Sequence, residues 1–108
     1  MKRRFAQMIR LSPEGAEAYI EHHAAVWPGV LATIKACHLQ NYSIFVNDLV
    51  LFAYFEYNGD DFEADMKRMA AEPETRRWWN VVKPLMDPLE KRKPGEFWSD
   101  MTEIFHLD

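Results

Sequence analysis

With 108 residues, 48% of them apolar and 14% aromatic, the chain has the composition of one ordinary globular domain with a modest core, which argues against disorder. Thirteen Lys and Arg against 17 Asp and Glu leave a net charge of −4, which disfavours nucleic acid or an anionic membrane as the main partner. The single cysteine, Cys37, cannot close an intrachain disulfide, so the cytosol is the expected compartment.

The basic run Lys2-Arg3-Arg4 is followed by Gln7 and Arg10 before an apolar stretch accumulates, so no signal peptide is expected. No apolar run approaches the ~18 residues of a membrane-spanning helix. Arg4 to Leu11 reads as a first strand, stopped by Ser12-Pro13. Ser12 suits an N-cap and Pro13 a first helical residue, which predicts a helix from about Pro13 to Ala25. Pro28 ends that helix and opens another, in which Val30, Ile34 and Cys37 recur at helical spacing. Cys37 then reads as a buried, inert thiol.

Tyr42 to Val46 and Leu49 to Tyr57 form a predicted hairpin around Asn47-Asp48. After Asn58-Gly59-Asp60, the spacing of Phe62, Met66 and Met69 marks an amphipathic helix, and another runs from about Glu74 towards Pro84. Met86 to Ser99, with Pro88, Pro94 and Gly95, is a loop long enough to serve as a lid or binding segment, and Met101 to Leu107 closes the chain as a last strand. Lys91-Arg92-Lys93 within that loop reads as solvated.

Strand, helices, strand, strand, helices, strand is the split βαβ order of an α+β, ferredoxin-like domain. It predicts a four-stranded antiparallel sheet with helices on one face. Val50, Phe52, Ile44 and Phe105 supply more apolar surface than one helical layer hides, so a homodimer joined sheet to sheet, a dimeric α+β barrel, is expected.

Tyr19 and His23, four residues apart, share a helix face, where a phenol and an imidazole can converge on a small polar molecule. Imidazole both accepts and donates a proton near neutral pH, which makes His23 the candidate catalytic group, although the adjacent His22 has equal credentials by spacing. Tyr42 either points a hydroxyl into a pocket or packs. Trp78 and Trp79, about 100° apart around a helix, cannot bury in the same place, so one ring is expected to pack while the other meets a ligand or a partner subunit. The histidines and the cysteine include no His-x-x-x-His or Cys-x-x-Cys pair, so no metal is expected, and there is no Gly-rich phosphate loop.

The ordered set Tyr19-x-x-x-His23-x-x-Val26-Trp27-Pro28, Asn41-Tyr42-Ser43-Ile44, Arg77-Trp78-Trp79 and Glu103-Ile104-Phe105 resembles the L-rhamnose mutarotase family over nearly the whole chain. The resemblance implies an isomerase that interconverts the α and β anomers of L-rhamnose, without a cofactor, on a dimeric ferredoxin-like fold. It implies that His23, rather than His22, is the proton donor, and that Tyr19, Tyr42, Trp78 and Trp79 bind the sugar. Where members commonly carry Trp-Pro-Glu, this chain reads Trp27-Pro28-Gly29, a departure that bears on local helix geometry. The competing readings are a cofactor-free monooxygenase or isomerase of the dimeric α+β-barrel group and a non-catalytic sugar-binding module.

Overall fold

The computed structural model describes residues 2–108. Strand β1 covers Arg3–Leu11 and stops at Ser12. The Ser12 hydroxyl accepts the Gly15 N–H at 3.0 Å, a helix-cap geometry, yet residues 13–15 form only a turn and helix α1 covers Ala16–His23. It is shorter than expected at both ends: three residues are lost to the turn at its start, and at its end the Ala24 N–H is shared between the Ile20 and Glu21 carbonyls while the Ala25 N–H bonds the His22 carbonyl three residues back.

Helix α2, Pro28–Ala36, starts with proline at its first position. It ends in His38, whose φ of 67° turns the chain into strand β2, Leu39–Asn47. A two-residue turn with Asp48 at φ 57° leads into β3, Val50–Tyr57. Helix α3, Phe62–Ala71, is capped by Asp61, whose carboxylate accepts the Ala64 N–H at 3.1 Å. Helix α4, Pro73–Val82, is capped by Glu72, which accepts the N–H groups of Glu74 and Thr75 at 2.9 and 2.8 Å; these bonds hold its carboxyl down at about 2.

The sheet order is β2-β3-β1, all antiparallel, with two short strands on the far edge of β1: β4, Met86–Asp87, and β5, Ser99–Met101. The fourth position is thus one edge interrupted by the loop 88–98. The last strand covers Ser99–Met101, opposite Met8 to Ala6 of β1, rather than Met101 to Leu107, and residues 102–108 lie outside the ladder. No helix among the described residues is long and apolar enough to cross a membrane.

Strand alternation separates the two faces of the sheet. Ile9, Leu11, Leu51, Ala53, Phe55 and Tyr57 turn inward to the helices and are buried. They divide into two clusters: one joins Ile9, Leu11 and Leu51 to Tyr19, Val30, Trp78 and Val82, and the other joins Phe55 and Tyr57 to Cys37, Leu39 and Met69. Cys37 is fully buried. Burial of each large aliphatic side chain contributes about 1.5–3 kcal/mol.

The outer face carries Phe45, Val50, Phe52 and Met101, which are exposed. Ile44 is not among them, contrary to expectation. Its register partner is Ala53, an inward residue, so Ile44 packs against the first cluster and its neighbour Phe45 takes the outer place. Phe105 is exposed as expected, but on the tail beyond the sheet.

One irregularity interrupts β2. Two residues, Asn41 and Tyr42, stand opposite Phe55 alone, and Asn41 adopts φ 49°. This is a β-bulge. It lets consecutive side chains, Gln40 and Asn41, both reach Glu56 on the outer face, at 3.3 and 2.7 Å, while Tyr42 turns inward onto Phe55. The Asn41 amide and the Tyr54 hydroxyl hold the Glu56 carboxyl down at about 2.

Candidate functional site

The last turns of α1 bring Tyr19 and His23 to one face, as their spacing predicts. Tyr19 is buried, and its ring stacks on the His23 imidazole with centroids 4.1 Å apart. His23 Nδ1 lies 2.8 Å from the Tyr19 carbonyl oxygen. A carbonyl only accepts, so Nδ1 carries a proton and Nε2 is the nitrogen left to exchange one. Burial lowers the His23 pKa from 6.5, and the neighbouring His22 lowers it further, against the opposing effect of the Tyr19 carbonyl. The group is therefore mainly neutral at pH 7.

Trp78, buried in the first cluster, forms the wall of this corner. Its ring meets His23 edge-on at 5.2 Å, Trp27 at 5.2 Å and His22 at 6.2 Å. These contacts place His22 beside the tryptophan and His23 between tryptophan and tyrosine. Spacing alone left that difference open.

Tyr42 stacks on Phe55 at 5.1 Å. Although 40% of the residue is exposed, its hydroxyl is desolvated, which pushes its pKa up to about 12. Burial also raises the Tyr19 hydroxyl, with a contribution from nearby Tyr42. Both phenols stay neutral at physiological pH, as hydrogen-bond donors rather than as acids.

Trp79 faces elsewhere. It is half-buried and packs against both clusters, while the Lys83 ammonium stands 4.8 Å from its ring and 5.2 Å from that of Phe97 in the 88–98 loop. Of the five residues singled out from sequence, Tyr19, His23 and Trp78 converge and Tyr42 lies close to Tyr19. Trp79 instead stands against Lys83, whose ammonium also reaches Phe97 of the loop.

Depressions lined by Lys35, His38, Leu39, Gln40 and Asn58, and by Glu90 with residues 92–97, share no residue with this corner. Among the described residues no three His, Cys, Asp or Glu side chains gather into a metal cage. The sequence reading missed two residues that bear on the corner. Lys83 could have been found four residues after Trp79, at cation–π spacing on a helix. Glu74, four residues before Trp78, is bonded to Gly29 by a contact between helices that no periodicity records.

Comparison with known proteins adds an independent line. A family model described as L-rhamnose mutarotase matches residues 4–107. An L-rhamnose mutarotase of Lactiplantibacillus plantarum is 36% identical over 107 aligned positions, covering 97% of this chain and 98% of that protein. One of Bacillus subtilis is 31% identical and covers both chains fully. Among solved structures, L-rhamnose mutarotase from Formosa agariphila superposes with a TM-score of 0.75 at 24% identity, over 98% of this chain and 99% of that one. Tetracenomycin F2 cyclase from Streptomyces glaucescens, a type-II polyketide cyclase, shares the fold with a TM-score of 0.67 at 15% identity, over 98% of this chain and 97% of that one.

Proposed function

The chain belongs to the L-rhamnose mutarotase family, and we propose that it interconverts the α and β anomers of L-rhamnopyranose by acid–base-catalysed ring opening and closure. Opening removes the proton of the anomeric hydroxyl and protonates the ring oxygen, and closure on the other face of the aldehyde gives the other anomer. Only protons move.

In this proposal His23 Nε2 delivers the proton to the ring oxygen and retrieves it on closure, while water or a tyrosine hydroxyl handles the anomeric proton. The observation that carries it is the 2.8 Å bond from Nδ1 to the Tyr19 carbonyl, which reserves Nε2 for the substrate. A positioned imidazole supplies roughly 10²- to 10⁴-fold. Tyr19 and Tyr42, held neutral, donate hydrogen bonds to sugar hydroxyls, and Trp78 offers an apolar wall to the C–H face and methyl group. Trp79 belongs to the same proposal, as the ring that fixes the neighbouring loop.

The working unit is a homodimer in the cytosol, formed through the outer sheet face. Phe45 at 58% exposed and Met101 at 46% leave an apolar surface that a second copy would cover. The net charge of −4 suits a small neutral sugar rather than nucleic acid or an anionic membrane.

Saturation-transfer NMR on equilibrated L-rhamnose, with and without the protein, tests the activity. Faster exchange between the anomeric protons is the expected result. Binding without faster exchange would make the chain a sugar-binding module instead.

A further inference from the structure

Helix α2 breaks the local rules of helix starts. Its N-cap is Trp27, which provides no side-chain cap, and its first turn holds no acidic residue. Small polar residues are preferred at that position because their oxygens accept the orphan N–H groups of the first turn. Here the acceptor comes from another helix: Glu74 Oε2 accepts the Gly29 N–H at 2.9 Å. Glu74 is free to do so because Glu72 already caps α4. The hydroxyl of Thr33, on α2, stands 3.2 Å from Glu72 Oε1 and 2.9 Å from the Gly29 carbonyl, adding a second strut between the same helices.

Gly29 is required by this bridge. A Cβ there would lie 2.4–2.5 Å from the carboxyl atoms of Glu74. Glu74 and Trp78 are one turn apart on α4 and so share a face. That face meets α2 twice, through the Glu74 carboxylate at Gly29 and through the Trp78 ring, 5.2 Å from Trp27 with the planes at 75°. Trp78 also meets His23 edge-on at 5.2 Å, nearer than its contact with His22 at 6.2 Å.

Resting on the proposed sugar chemistry at His23, the geometry points to Glu74 as a positioning residue: it caps α2 in place of Trp27, freeing that indole to lock Trp78 against the His23 imidazole. The effect rests on an acceptor oxygen that reaches the Gly29 N–H, not on the charge that carries it.

The test follows two signals through the full-length variants Glu74→Gln, Glu74→Asp, Glu74→Ala and Gly29→Ala. One is the exciton couplet that two indoles held near 75° produce in the circular dichroism spectrum. The other is the turnover number for anomer exchange. Glu74→Gln keeps an acceptor oxygen at the same reach and retains both signals. Glu74→Asp keeps the charge but is one methylene shorter, and like Glu74→Ala it loses the couplet and about tenfold in turnover number. Gly29→Ala displaces the carboxylate and gives the same loss, and adding it to Glu74→Ala brings no further loss. Retention of couplet and turnover in Glu74→Asp, or losses that multiply in the double variant, would overturn the assignment. If the unmodified protein does not accelerate exchange, the sugar chemistry falls while the couplet still judges the bridge.

Discussion

The two faces of the sheet are built from the same strands but solve opposite problems. The inner face pairs Ile9, Leu51 and Ala53, all at or near zero exposure, with helices of the same chain, and Tyr19 and Trp78 of the corner proposed to exchange protons belong to the same cluster as Ile9 and Leu51. The outer face shows Phe45, Val50, Phe52 and Met101 to the surroundings, with a buried carboxylate, Glu56, tied down by Asn41, Gln40 and Tyr54 at one end. An inner face covered by its own chain can host chemistry. An outer face that is apolar without cover is suited to another copy.

Substituting His23 with alanine cuts most deeply, because it removes the only side chain proposed to move a proton to the ring oxygen. Anomer exchange in the NMR assay is expected to fall by roughly 10²- to 10⁴-fold. An unchanged rate would move the chemistry away from this corner. On the other face, Phe52→Glu places a charge in the middle of the proposed contact. Sedimentation should show a monomer, with dimer affinity weakened by roughly 30-fold or more. A sedimentation coefficient equal to that of the unmodified protein would assign the apolar face another partner.

A pH series sharpens the role of the inner corner. The His23 pKa lies below 6.5, and a donor must be protonated to act, so the protein-dependent rate should fall as pH rises from 6 to 8, approaching about tenfold per unit. A rate that rises over that interval would make Nε2 the acceptor of the anomeric proton. The smallest expected effect belongs to the outer face. Glu103→Gln weakens the paired bonds from Arg4, at 2.7 and 3.2 Å, yet the pair is exposed to water and screening. The thermal midpoint should move by less than about 2 °C.

Local signals made much of this fold legible. Ser12-Pro13 marked the end of β1, three residues ahead of where α1 begins, Pro28 marked the start of α2, and the three- and four-residue spacing after Phe62 gave α3, because proline and amphipathic period act over a few residues. What depends on distant partners was not legible. Ile104 and Phe105 look like strand residues, but pairing along this edge of β1 stops at Met101 opposite Ala6, and both side chains stand exposed on the tail. Tyr19 and His23 could be placed on one face from spacing, yet the choice of His23 over His22 needed the family resemblance. The Nδ1 bond and the Trp78 contacts, which give the two imidazoles different settings, are facts of packing. The bridge from Glu74 to Gly29 spans 45 positions of sequence.

Asn41 has a consequence for how this chain can change length. Leu39 and Gln40 pair with Tyr57 and Glu56, Ser43 pairs with Tyr54, and only Phe55 faces two residues. Deleting Asn41 would bring Tyr42 directly opposite Phe55 and leave every other partner in place. Strand β2 thus holds one residue beyond what its ladder uses. Loss of that residue alters curvature and the hold on Glu56 while preserving which way each side chain points. Loss of a residue further along would turn a whole inward run outward. Descendants of this sequence can therefore shorten the strand at the bulge more safely than anywhere else along it.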